Sequence, residues 1–156
     1  MKNKVILSAF NVHTGGGLVL LKSLIDTKLL KIKLLDLRVK NKIKLSKDEN
    51  NIYVKKSILS RLYYFHKVCF KSKSDEKIIC FNGLPPLFKT KAHVVLFIQT
   101  FYFFADISNF NFNLYTFLRI QFEKFWFVLG ISNANEIWVQ TETMKRRLNI
   151  YLKSRN

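Results

Sequence analysis

Asn11-Val12-His13-Thr14-Gly15-Gly16-Gly17-Leu18-Val19-Leu20-Leu21 forms a corner between two kinds of pattern. Before it, residues 5–10 (VILSAF) make a short apolar run, the signature of a strand buried on both faces. After it, Leu18, Leu21, Leu24 and Ile25 recur at helical spacing, with Lys22 on the opposite side. Three consecutive glycines at such a corner let a ligand approach bare backbone, because no Cβ intervenes. They also leave the first N–H groups of the helix pointing outward, a place that favours an anion such as phosphate.

The rest of the chain repeats this grammar. Apolar runs at residues 32–37, 52–54, 77–81, 94–98 and 136–140 predict strands. Ser57 is placed to cap a helix carrying Ile58, Leu62, Phe65 and Cys69 on one face, a second helix is predicted over 114–129, and Thr141 caps a third. The lysine-rich interval 40–51 reads as a surface loop or hairpin. Strands that alternate with helices, with polar turn residues after each strand, predict an α/β fold: a Rossmann-like, doubly wound, mostly parallel sheet with helices on both faces. One link strains this scheme. The connection between residues 81 and 94 is close to the minimum for a parallel crossover.

Composition sets the bounds. The 156 residues suffice for one domain, and a hydrophobic content of 49% fits a globular chain. The formal net charge of +17 favours an anionic partner, although lysine is abundant throughout. Cys69 and Cys80 lie in apolar surroundings without metal-type spacing, which predicts buried, reduced thiols and a cytoplasmic setting. No metal signature occurs, and the N-terminal apolar run is too short for a signal peptide. Residues 97–131 are broken by charged and asparagine residues, against a transmembrane helix. Nucleic acid is not an expected partner, since helix-turn-helix, RNP and zinc patterns are missing.

A dinucleotide-binding reading draws on Gly15-x-Gly17 and on Asp36 near the end of the second strand, but Leu20 stands where the third small residue belongs. Asp36 is otherwise expected to be an exposed strand-end residue. A second reading covers nearly the whole chain. Asn11-x-His13-Thr14-Gly15-Gly16-Gly17, the segment Phe81-Asn82-Gly83-Leu84-Pro85-Pro86-Leu87-Phe88 with Val95-Leu96-Phe97-Ile98-Gln99-Thr100, and Trp138-Val139-Gln140-Thr141-Glu142-Thr143-Met144-Lys145 come in that order. Together they resemble the N-terminal domain of bacterial GT-B glycosyltransferases of the group 1, or family four, type.

The resemblance implies one half of a GT-B architecture: residues 1–156 as a single Rossmann-like N-terminal domain, with the C-terminal donor-binding domain absent and the isolated chain inactive. It implies transfer of a sugar from a nucleotide-sugar, used as donor substrate and not as cofactor, to a cell-surface polysaccharide or lipid-linked precursor. His13, Thr14, Gly15, Gly16 and Gly17 would face substrate and phosphate. Asn82, Gly83, Pro85, Gln99, Thr100, Gln140 and Thr141 would line the cleft. No catalytic residue is assigned, because Gln99 cannot act as a general base. His13 serves equally well as a phosphate contact or a structural hydrogen bonder, and His66 and His93 are expected to be structural.

Phe101, Tyr102, Phe103, Phe104, Phe110, Phe112, Tyr115, Phe117, Phe122, Phe125, Trp126 and Phe127 are too many for one helix face. The surplus is expected either at an anionic membrane surface, placing the protein peripherally on the inner face of the plasma membrane, or against a separate C-terminal domain or subunit. A non-catalytic basic module that binds a membrane or a partner is the alternative from another functional class.

Overall fold

A computed structural model describes residues 4–25, 30–43, 50–104 and 112–154. The expected loop at 40–51 therefore lies partly, at 44–49, outside the described residues, as do Phe110 and the side chain of Phe101. Within them, strands β1 (Lys4–Ala9), β2 (Leu30–Asp36), β3 (Asn51–Val54), β4 (Glu76–Cys80), β5 (His93–Ile98) and β6 (Glu136–Val139) alternate with helices α1 (Gly15–Ile25), α2 (Ile58–Lys71), α3 (Leu114–Gly130) and α4 (Glu142–Lys153).

The strands form one sheet in the order β3-β2-β1-β4-β5-β6, and every neighbouring pair is parallel. The chain walks outward from β1 in one direction, then returns to start β4 on the other side of it. That reversal lies between β1 and β4, the place where doubly wound sheets leave a crevice at their carboxyl ends.

Strand alternation explains the two layers. Ile6, Leu34, Ile78, Leu96 and Ile98 point to one face, where they pack with Phe65 of α2, Trp126 and Phe127 of α3 and Leu148 of α4. Leu7, Ala9 and Leu35 point to the other face and pack against Leu21 and Ile25 of α1. The stripe expected on α1 is thus the one it buries. Cys69 and Cys80 are free and buried in the first layer, and burial pushes the Cys69 thiol up to about 12.

Two capping expectations fare differently. Thr141 accepts a hydrogen bond from the Met144 N–H and starts α4. Ser57 occupies the N-cap of α2, but its hydroxyl makes no capping bond; only its carbonyl receives the Arg61 N–H.

The short link from β4 to β5 is a crossover without a helix. Residues 81–92 pass beneath the carboxyl end of α3 and the turn that follows it, and side chains from both bond the carbonyls of this passage. The Trp126 indole N–H donates to the Pro85 carbonyl at 2.7 Å, and the Asn133 amide donates to the Pro86 carbonyl at 2.9 Å. Gly130 permits this approach: a Cβ there would sit 2.7 Å from the Pro86 carbonyl oxygen and 2.8 Å from Pro85 Cγ. Since the first obstacle is backbone, Gly130→Ala is expected to destabilise the fold by about 1–3 kcal/mol, measurable as a lower urea midpoint.

Candidate functional site

The crevice between β1 and β4 opens into a cavity of about 780 Å³, a size suited to a small-molecule ligand. The ends of β1, β4, β5 and β6 supply its floor through residues including His13, Asn82, Gln99 and Gln140. The first turns of α1 form one wall, and Arg119, Ile120 and Glu123 of α3 form the facing one.

Of the residues singled out in the sequence, His13, Thr14, Gly16, Gly17, Asn82, Gln99, Thr100 and Gln140 line this space. Gly15, Gly83, Pro85 and Thr141 do not, and each has a local reason. Gly15 and Gly83 turn the chain through left-handed backbone, at φ of 63° and 75°. Pro85 is buried under α3, and Thr141 spends its hydroxyl on the α4 cap.

The three glycines have different tasks. A Cβ at Gly16 would meet nothing within 4 Å, so its bareness faces the cavity. A Cβ at Gly17 would lie 2.7 Å from Gln99 Oε1 and 3.3 Å from Val12. Gly17 therefore serves packing: Gln99 fills that space while its amide donates to the Phe81 carbonyl at 2.7 Å. No acidic residue occupies the first turn of α1, so the positive end of the helix dipole is not offset there by a carboxylate.

Beside the corner stands a network that the sequence did not reveal. Asn11 leaves β1 with a left-handed φ of 63°, a conformation asparagine tolerates better than other residues with a Cβ. Its N–H donates to Asp36 Oδ2 at 3.1 Å, and its side-chain oxygen accepts from Arg38 at 3.0 Å and Arg61 at 3.3 Å. Its side-chain amide donates to Glu123 at 3.2 Å. His13 Nδ1–H donates to the Asn11 carbonyl at 3.0 Å. His13 Nε2 is then the acceptor, receiving Arg38 Nη1 at 2.9 Å. His13 lines the cavity with both ring nitrogens engaged.

Asp36 is only 1% exposed, not the expected exposed strand-end residue. The Arg38 guanidinium grips it from Nε and Nη2, both at 2.7 Å, and the Arg38 and Asn11 N–H groups add two further bonds. Burial by itself would raise the carboxyl; the bonds and charge of Arg38 and the Asn11 N–H overcome it and hold Asp36 at about 2. Arg61 is 6% exposed, 3.8 Å from the same carboxylate. Its burial lowers its basicity, and Asp36 and Glu123 oppose that.

Glu123 behaves in the opposite way. Burial raises its carboxyl above the ordinary range, against the pull of Arg119 and Arg61. A carboxylate facing a ligand cavity with raised proton affinity is the usual profile of a proton acceptor. Its sequence signal was faint: Arg119 and Glu123 sit four residues apart, on the face of α3 that also carries Phe127. His66 and His93 have structural partners, the Leu62 carbonyl at 2.8 Å and Glu136 at 2.6 Å. Among the described residues no group of three or more His, Cys, Asp or Glu side chains is placed to hold a metal ion. Nor is any of their helices long and apolar enough to cross a membrane.

Fold and site together define a doubly wound, Rossmann-like α/β protein with a mixed polar cavity at its switch point. Comparison with protein families, characterised proteins and solved structures gives no match to the chain.

Proposed function

We propose that this chain is the acceptor-side half of a GT-B glycosyltransferase, moving a sugar from a nucleotide-sugar to a cell-surface polysaccharide or lipid-linked precursor. The donor-binding half is supplied by another domain or subunit, and the work is done at the cytoplasmic face of the plasma membrane. The observation that carries the reading is the cavity, where the bare start of α1, the Arg119 cation and the Glu123 carboxylate face one space.

In this reading the acceptor hydroxyl attacks the anomeric carbon while the bond to the donor diphosphate breaks. The hydroxyl proton passes to Glu123, and the electron pair leaves with the diphosphate. The N–H groups at Gly16 and Gly17 and the positive end of α1 stabilise the charge that develops on that leaving group. A dinucleotide-binding oxidoreductase is less well supported, because Asp36 is consumed by Arg38 and does not line the cavity.

The test has two parts. Co-expression with a donor-binding domain should yield sugar transfer, and pyrophosphate titrated into the chain should shift the amide NMR signals of Gly15 to Gly17. Gly16→Val should abolish those shifts and leave stability within about 0.5 kcal/mol, since its side chain enters open space. Lost stability with intact pyrophosphate binding would assign the glycine to packing. Failure of both transfer and anion binding would favour a non-catalytic basic module.

A further inference from the structure

Residues 51–74, which include all of α2, contain no acidic side chain. Lys55, Lys56, Lys67, Lys71 and Lys73 are all exposed there. The outer side of this helix is nonetheless apolar: Leu59 is 77% exposed, Tyr63 59% and Phe70 82%. At 100° per residue these three fall within about 40° of one another, on a single stripe. Leu114, Leu118, Phe125 and Leu129 of α3 repeat the pattern and are also exposed. The two helices belong to one layer, since both pack into the same core cluster and the Lys56 ammonium lies 5.1 Å from the centre of the Tyr115 ring.

Large apolar side chains gathered outside the core mark a surface that meets something. A second copy of the chain is disfavoured, because two lysine-flanked faces of a +17 protein repel. An apolar stripe flanked by lysines, with no acidic side chain over residues 51–74, matches a lipid surface, which offers phosphates to lysines and acyl chains to leucine and phenylalanine. We propose that the outer face of α2 and α3 docks this protein onto an anionic lipid bilayer, with Leu59, Phe70, Leu118 and Phe125 entering the headgroup–acyl boundary. The inference deepens the proposed placement at the plasma membrane by assigning the face that docks, and its test does not depend on sugar transfer.

Vesicle flotation tests it directly. The full chain is expected to float with phosphatidylcholine vesicles that contain about one-third phosphatidylglycerol, and to bind pure phosphatidylcholine at least tenfold more weakly. Leu59→Ser with Phe70→Ser keeps the charge and removes only exposed groups. This pair should cut affinity for the anionic vesicles about tenfold with an unchanged thermal midpoint. Lys67→Gln with Lys71→Gln should weaken anionic binding and leave neutral binding alone. Three results would overturn the proposal. One is no flotation of the wild type. Another is equal flotation of the Leu59/Phe70 variant, which would mean adsorption by charge alone. The third is self-association, seen in sedimentation and lost in that variant, which would give the face to a second copy.

Discussion

Asp36→Ala is expected to cost the fold about 3–5 kcal/mol, read as a large fall in the denaturation midpoint. The carboxylate is almost fully enclosed, and its removal takes from the buried Arg61 guanidinium the anion 3.8 Å away. It also strips Arg38 of its grip and the left-handed Asn11 of the acceptor for its N–H. The same carboxylate sets an acid limit. Its folded pKa is depressed from 3.8 to about 2, so its stabilisation is complete above the unfolded value and disappears as pH falls through the folded one. The shift is worth on the order of 2 kcal/mol, lost between about pH 4 and pH 2. In Asp36→Ala that part of the acid transition should be missing.

Glu123→Gln is the matching prediction for function. Glutamine retains a side-chain oxygen for the Asn11 amide, so the network around the cavity is kept. The Glu123 carboxyl is raised by burial, so its contribution to stability is present at low pH and declines as pH rises through the folded pKa. Removing the charge should therefore leave the thermal midpoint at neutral pH unchanged or slightly higher. On the proposed function, with Glu123 as the base, sugar transfer in the reconstituted enzyme should fall by about 10²- to 10⁴-fold, the usual worth of a positioned base. Pyrophosphate binding should be unaffected. The wild-type rate should have an acidic limb above the ordinary carboxylate range, and the variant should lack it. A full rate in Glu123→Gln would reduce this residue to a partner of Asn11.

The order of elements was open to sequence reasoning because each strand is a short apolar run closed by turn residues. Thr141 could be placed at its helix start for the same local reason. Even the doubtful 81–94 link proved parallel. What sequence reasoning missed depends on contacts between distant residues. Asn11 meets Glu123 across 112 positions and Arg61 across 50, and nothing in the one-dimensional pattern marks a left-handed asparagine as their meeting point. In the sequence Glu123 is merely one of the charged residues that break the apolar stretch 97–131. Asp36 looked exposed because strand-end acids usually are, and its two arginines lie on a turn and on another helix. The glycines misled more subtly, since a triplet gives no sign that one member faces open space and another faces Gln99.

The helix-free passage from β4 to β5 also bears on how the chain assembles. The carbonyls of Pro85 and Pro86 find their donors 41 and 47 residues further along, on Trp126 and Asn133. Until α3 and the turn after it arrive, this passage has neither those bonds nor the apolar cover of Trp126 and Phe127. The β1-α1-β2 portion closes a short local loop and does not wait. A ribosome that has released only as far as β5 would carry a chain whose sheet still lacks β6 and whose proline passage still lacks both side-chain donors.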